Sequence, residues 1–493
     1  GDVYKRQDGI NATYILLEGL EKLGAKVDSD IPDRIKDGYG LNQHLIDRAH
    51  EDGIDTIITC DNGIAAAKEI EYGKALGMTI IVTDHHEVPY KENEAGRRYI
   101  LPPADAVVDP RQEGCEYPFK GLCGAAVAYK LVEALCEANG QDVADLDYLL
   151  ENVAIATVAD VMDLTEENRI LVKQGLEMLK RTSNLGLRAL IQCIGLEGKK
   201  IQAYHIGFIL APCLNASGKL DTAKRALALL RAKTEREADM LAGDLKALNE
   251  SRRDMTDRVV DEAMAKVEQT DIRGDKVLVI YLPDCHESLA GLVAGRVREN
   301  YYRPVFVLTD SEDGVKGSGR SIESYSMYEE LTGCGDLLTK FGGHPMAAGL
   351  SLEEENVETF RRKLNERSGL SQEDLVEKVS IDVPMPIHYI RKDLVRELSL
   401  LEPFGKGNEK PLFAQKNLWI SQLRVFGKNR NVVKMRLTDE NGYPMDGVYF
   451  GDGDAFVEEA RRKQKIAIVY YPDINVYQGR ESLQVIIRHY QFD

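Results

Sequence analysis

Residues 55–86 read DTIITCDNGIAAAKEIEYGKALGMTIIVTDHH, and they decide the fold. Asp55–Cys60 (DTIITC) is a short β-branched run stopped by Asp61-Asn62-Gly63, and Thr79–Thr83 (TIIVT) is a second, stopped by Asp84. Between them, Ile64–Leu76 spaces its apolar residues as a helix does. Strand, helix and strand in this rhythm predict a parallel βαβ unit. Ligands of such a sheet gather beyond the carboxyl ends of its strands. Asp61 and Asp84-His85-His86 fall there.

The same pattern extends in both directions. Asn11–Leu23 and Leu41–Asp52 read as helices closed by Gly24 and Gly53, and Ala106–Val108 as a third strand. From Ala125 to Glu197 the chain reads as mostly helical. Asp221–Glu268 is a long, charge-laced helical stretch, interrupted only by Gly243, that suits a connector between domains. A second α/β lobe follows, with strands at Lys276–Leu282 and Pro304–Leu308 around a helix at Ser288–Asn300. Glycine-rich loops are expected at Gly314–Gly319 and Gly342-Gly343. Beyond Asp382 the chain reads as short strands (Leu418–Phe426, Val432–Leu437, Ile466–Tyr471, Ser482–Ile487) with one helix at Ala455–Gln464. That mixture suits a small OB-like β-barrel.

The expected division is therefore residues 1–220, a parallel-sheet lobe; 221–270, a connector helix; 271–381, a second α/β lobe; and 382–493, an OB-like domain. At roughly 150 residues per domain, 493 residues fit such a multidomain chain. No run approaches the ~18 uninterrupted apolar residues of a membrane helix, and none resembles a signal peptide. The eight cysteines are scattered without a C-x-x-C pair, so reduced thiols in a cytoplasmic protein are expected rather than disulfides or a zinc knuckle. The formal charge of −18 conceals a split. Residues 411–493 hold 12 Lys+Arg against 10 Asp+Glu, which is +2 and leaves −20 for the rest.

Two adjacent histidines beside an aspartate, in a turn where a parallel sheet presents ligands, point to a metal. Asp61 is the natural second element, although Asp-Asn-Gly also makes a good turn. Asp160-Val161-Met162-Asp163, after the apolar run Val153–Ala159, is a third carboxylate cluster. Carboxylate and imidazole without thiolate suit manganese or magnesium. Two such ions held about 3.5–4 Å apart are a recurrent device for hydrolysing phosphate esters. Lys316–Ser321 and Gly342-Gly343-His344 could hold a phosphodiester, because glycine lets N–H groups approach an anion and arginine offers a fork.

In this order and spacing the motifs resemble the DHH phosphoesterase family, and within it the bacterial single-strand-specific DNA exonucleases, over nearly the whole chain. The resemblance rests on Asp61-Asn62-Gly63, Asp84-His85-His86, Thr157–Asp160, Asn215–Leu220, His286-Glu287-Ser288 with Gly291 and Gly295-Arg296, Gly317–Ser321, Gly342-Gly343-His344 and Pro403-Phe404-Gly405. Lys219 stands where the family usually has arginine. The family opens with Asp-x-Asp-x-Asp-Gly; here only Asp8-Gly9 fits, with Arg6 and Tyr4 at the other two aspartate positions. That break reads as a foreign or misread start to a fragment.

The resemblance implies two divalent ions, manganese or magnesium, on Asp8, Asp61, His85 and Asp160, with Asp61 as bridge. Asp84 and His86 would orient ligands or contact the scissile phosphate. Ser318, Arg320 and His344, with Arg296, would grip phosphates. The implied activity is 5′-to-3′ degradation of single-stranded DNA to mononucleotides, in repair and recombination. Single-stranded-DNA-binding protein and a helicase are implied partners, and no membrane is involved. Arg424, Lys428 and Arg430, with Trp419 and Tyr477, are expected to contact the strand from the tail; the other reading of Trp419 is a core residue. Alternatives are a phosphodiesterase on oligoribonucleotides or cyclic dinucleotides, and a catalytically weakened single-strand-binding protein.

Overall fold

The computed structural model describes residues 6–32, 40–93, 96–215, 222–312, 314–463 and 465–493. Residues 216–220 of the Asn215–Leu220 motif, including Lys219, lie outside them, as does Tyr4. The chain forms two compact units, residues 1–162 with 166–377, and residues 163–165 with 378–493.

The first unit begins with helix α1 (Arg6–Lys22) and α2 (Gln43–Glu51), followed by β1 (Thr56–Cys60), α3 (Ala67–Ala75) and β2 (Thr79–Thr83). A hairpin of β3 (Tyr90–Asn93) and β4 (Gly96–Tyr99) precedes β5 (Ala106–Val108). Strands β1, β2 and β5 lie side by side and parallel, as expected. Alternate residues Ile80 and Val82 of β2 are fully buried against Ile46, Ile70 and Met78. The register aligns Cys60 with Thr83 and Thr83 with Val108. All three strands therefore end level, and the next residue in each case is an aspartate: Asp61, Asp84 and Asp109. Helices α4 (Gly124–Ala138) and α5 (Leu150–Ala159) follow, with α5 buried along most of its length.

The connector differs from its expected form. It is two helices, Thr222–Leu230 and Glu235–Gln269, and Gly243 lies inside the second. The break falls at Thr234, whose hydroxyl accepts a hydrogen bond from the Glu237 N–H, while the Glu237 carboxylate accepts one from the Lys233 N–H. This Thr-x-x-Glu pattern starts a new helix, whereas one interior glycine only weakens an existing one. The 35-residue helix buries Ala238, Ala242 and Leu245 early and Val260, Ala263 and Val267 late, the last three in the core of the second lobe.

That lobe is a five-stranded sheet of β6 (Leu278–Tyr281), β7 (Val305–Ser311), β8 (Gly314–Arg320), β9 (Leu338–His344) and β10 (Ala347–Leu352), in the order β6-β7-β8-β10-β9. Its two faces carry separate cores, because successive side chains point to opposite sides. Val279, Phe306 and Leu308 fill one, and Leu278, Ile280, Val305 and Val307 the other. The two expected glycine loops are in fact strands β8 and β9. Their glycines admit neighbours: a Cβ at Gly319 would come 2.7 Å from both Phe306 and the Met327 sulfur.

In the second unit, β11 (Val383–Pro384), β12 (Phe413–Phe426), β13 (Val432–Thr438), β14 (Pro444–Phe450), β15 (Lys465–Tyr477) and β16 (Arg480–Phe492) are ordered β11-β12-β13-β14-β16-β15. Strand β12 also pairs with β15, so the sheet curls back on itself. Phe413, Leu418, Met435, Ile466, Tyr470 and Val485 fill its interior with Phe456 from the helix Gly453–Arg462. Trp419 is no part of that core. It is half-buried, with the Lys465 ammonium 4.8 Å above its ring.

Candidate metal centre

The level strand ends bring the sequence-predicted residues together. Asp61 follows β1 with a φ of 57°, a left-handed conformation that aspartate tolerates better than most residues. Its Oδ1 lies 3.1 Å from His85 Nε2. The same Nε2 lies 3.4 Å from Asp8 Oδ2 and 3.8 Å from Asp160 Oδ2. Asp160 arrives at the C-terminal end of α5. Asp8 comes from the first turn of α1, and its two carboxylate oxygens accept hydrogen bonds of 2.6 Å from the Gly124 and Ala125 N–H groups at the start of α4. The positive end of that helix suits a carboxylate. Position 124 must be glycine, since a Cβ there would stand 2.7 Å from the Asp61 Cβ and 2.9 Å from its Cα.

Asp84 and His86 form a second arrangement. Asp84 is buried, and its carboxylate accepts from the N–H groups of Ile64 and His85 and lies 2.6 Å from His86 Nδ1. Burial pushes the Asp84 carboxyl up, but the His86 ring and these N–H groups outweigh it and hold it below its ordinary value. Asp8 goes the other way. Burial and the neighbouring Asp61 charge push it up to about 6, against the pull of His85 and the two N–H donors.

This electrostatic conflict tests whether the residues fit a metal. Three nearly dry carboxylates converge on one imidazole, whose own protonation is disfavoured first by burial. The His85 Nδ1 is buried without a hydrogen-bond partner among the described residues. Among those residues, two groups offer ligand atoms within 4.8 Å of one another: Asp8, His85 and Asp160, and Asp61, His85 and His86. No cysteine joins either. Burial pushes the nearby Cys60 thiol up to about 12 and Cys123 well above its ordinary value, so neither offers a thiolate. Oxygen and imidazole donors with unbalanced negative charge fit hard or borderline divalent cations.

Two carboxylates complicate the sequence reading. Asp109, unremarked in the sequence, is buried at the third strand end, and burial pushes it up to about 6. Its Oδ1 accepts from the Arg111 N–H, and Oδ2 has no hydrogen-bond partner among the described residues. The signal was available: Ala106–Val108 is a strand of the same sheet and Asp109 follows it. Asp163, grouped with Asp160 by adjacency, belongs to the second unit instead and pairs with Lys406 at 3.0 Å.

The phosphate-facing candidates are more dispersed. Arg320 and His344 both register with Ala347 of β10, and Ser318 registers with Gly349, so β8 and β9 flank β10 with these side chains in neighbouring rows. The Arg320 guanidinium lies against Gly291, where a Cβ would come 2.9 Å from its Nη2. Arg296 is exposed and 3.9 Å from Asp257. His286 accepts from the Ser288 N–H and so caps the helix Glu287–Tyr301. In the second unit Arg424 and Lys428 are exposed, whereas Arg430 is held by Asp454 through hydrogen bonds of 2.6 and 2.9 Å.

Comparison with known proteins follows the same division. Family models match in order: the N-terminal domain of the DHH family at residues 1–157, the DHHA1 domain at 274–368 and the RecJ OB domain at 381–489. The chain is 33% identical to the single-stranded-DNA-specific exonuclease RecJ of Escherichia coli, covering 97% of this chain and 85% of that protein. The chain belongs to the RecJ family. It is 38% identical to the Bacillus subtilis RecJ over 98% of its own length, but spans only 59% of that relative. The structure of Thermus thermophilus RecJ in complex with Mn2+ matches with a TM-score of 0.81 at 29% identity, covering 99% of this chain and 68% of that one. RecJ membership accounts for the mixed α/β architecture and the OB-type C-terminal unit.

Proposed function

We propose that this chain is a metal-dependent exonuclease that removes mononucleotides from the 5′ end of single-stranded DNA, in repair and recombination. The convergence of Asp8, Asp61, Asp160 and the DHH histidine at level strand ends carries the reading, in a chain of the RecJ family. Asp8, Asp61, His85 and Asp160 would hold two divalent ions, manganese or magnesium. When bound, such ions supply an activated water and neutralise charge on the phosphoryl oxygens. Asp84, buried and committed to its donors, is a positioning residue for His86, whose side chain is 40% exposed and can reach a phosphate. Ser318, Arg320 and His344 would grip the strand from the second lobe, with Arg296 beside them. Arg424 and Lys428, with a smaller share from Arg430, would do so from the OB unit. The domains proposed are residues 1–220, 221–270, 271–381 and 382–493, with the connector made of two helices and residues 163–165 joined to the last domain.

Among the described residues no helix is long and apolar enough to cross a membrane. We infer a cytoplasmic site of action, with a single-stranded-DNA-binding protein and a helicase as partners through family kinship alone.

The test is hydrolysis of a 3′-labelled, 5′-phosphorylated oligonucleotide with Mn2+, using this chain and its Arg6→Asp variant, which restores the middle aspartate of the first motif. Shortening from the 5′ end of single strands but not duplexes is expected, faster in the variant. Preference for a dinucleotide over a long strand would replace this reading with the small-substrate phosphodiesterase. Inertness of both proteins, with retained strand binding, would leave only a binding protein.

A further inference from the structure

Beyond the metal centre, one segment of the first unit exposes aromatic surface where the local fold would be expected to hide it. Ala203–His205, Ile206–Leu210 and Ala211–Leu214 run on as one helical stretch whose middle turn is a π-helix. Pro212 explains the wide turn, because it has no N–H to donate and its ring crowds the carbonyl four residues back. Ile206, Leu210, Cys213 and Leu214 are buried. Tyr204 and Phe208 point the other way. Phe208 is 73% exposed, the most of any large apolar side chain among the described residues, and Tyr204 is 61% exposed. Their rings stack with centroids 4.9 Å apart and planes 30° apart.

The location gives this pair a use. The π-turn rests on α5 through Gly207, where a Cβ would stand 3.5 Å from Val158. Val158 is two residues before Asp160, so the aromatic pair shares its support with the metal centre. Lys199 and Lys200, both exposed, immediately precede the segment. Burial first and then the Lys199 charge hold His205, stacked edge-on against Tyr204, below its ordinary pKa. Flat aromatic faces flanked by ammonium groups are how proteins hold single strands without reading sequence. Resting on the reading of the chain as a single-strand exonuclease, we propose that Tyr204 and Phe208 are a stacking platform for a nucleobase near the scissile phosphate, with Lys199 and Lys200 on adjoining phosphates.

The experiment uses the full chain without divalent metal and a 5′-phosphorylated oligothymidylate carrying one 2-aminopurine, walked through its first six positions. Quenching concentrated at one or two positions is expected. The double variant Tyr204→Ala, Phe208→Ala loses that quenching and binds roughly 5- to 150-fold more weakly, the range for losing one stacked base. Phe208→Trp, which keeps an aromatic face, retains both. An abasic site at the quenched position weakens the parent chain to the same degree and leaves the double variant indifferent. Identical binding and quenching by parent and double variant would overturn the platform and leave the exonuclease reading standing. If the parent chain binds no single strand at all, the exonuclease reading fails and takes the platform with it. Unchanged DNA binding with loss of self-association would assign the rings to a second copy of the chain, and the platform would fall.

Discussion

The carboxyl ends of β1, β2 and β5 and the outer surface of β12 and β13 handle charge in opposite ways. In the first region Asp8, Asp61 and Asp160 are nearly dry and converge on the single imidazole of His85, while Asp84 is buried against His86 and neighbouring N–H groups. In the second, Arg424, Lys428, Arg430 and Lys434 stand in water, where salt screens them; Asp454 pairs with Arg430, and Phe426 lies under the Lys434 ammonium. A buried carboxylate must be neutralised by a proton, a partner or something bound, and a cluster of them therefore marks a site sharply. Exposed charge contributes affinity in small, interchangeable amounts.

The sharpest way to break this contrast is Asp61→Ala in the Arg6→Asp background. Removing it should lower Mn2+-dependent hydrolysis by on the order of 1000-fold, since metal charge stabilisation amounts to several kcal/mol and each 1.4 kcal/mol is tenfold. Calorimetric titration with Mn2+ should show a site lost, and far-ultraviolet circular dichroism should be unchanged. Full activity would show that the dry cluster is structural.

Glu151 tests the cost of a buried charge that has no metal to offset it. Burial pushes its carboxyl from 4.5 to about 7, although Thr182 donates a hydrogen bond to it. The unfolded chain ionises this group above about 4.5 and the folded chain only above about 7, so its contribution to stability is complete below 4.5 and is lost as the pH climbs to 7. That gap corresponds to about 3 kcal/mol. Glu151→Gln should therefore raise the denaturation midpoint of the first unit at pH 8 and change little at pH 4.5. Equal effects at both values would remove the titration from the account.

Gly124→Ala probes the packing that holds the cluster. A methyl group would press on the Asp61 backbone, and overpacking of this kind costs typically 1–3 kcal/mol. Thermal unfolding should report the loss, and Mn2+ affinity should fall with it. Intact metal affinity would mean that the α4 N-terminus does not set the geometry.

The smallest effects belong to the OB unit. Arg424→Gln and Lys428→Gln should each lower the slope of log affinity against log salt by roughly 0.7 for single-stranded DNA. Arg430→Gln should lower it less, because Asp454 already occupies the guanidinium. Equal slopes for all three would erase that distinction.

What could be read from the sequence follows a physical rule. β1, β2 and β5 declare themselves through β-branched runs that stop at an aspartate, and the site at their ends follows from the topology of parallel sheets. β8 and β9 do not, because glycines chosen for close packing look like turns when their neighbours are unknown. β14 is hidden for a similar reason, beginning at Pro444 and containing Gly447. Asp109 is legible to the same strand-end argument, although no histidine stands beside it to mark it. Asp160 and Asp163 could not be told apart by position, because only tertiary structure sends one to the cluster and the other to Lys406.

The level ends of the three parallel strands also bear on how the protein is made. The candidate ligands Asp8, Asp61, His85 and Asp160 lie far apart in the sequence and are brought together by contacts between distant parts of the chain. Such contacts form late, after the entropy of closing long loops has been overcome. The cluster is incomplete until α5, which ends at Asp160, has packed against α1 and α4. The order of folding thus acts as a safety catch, leaving partly folded chains without the assembled carboxylate cluster.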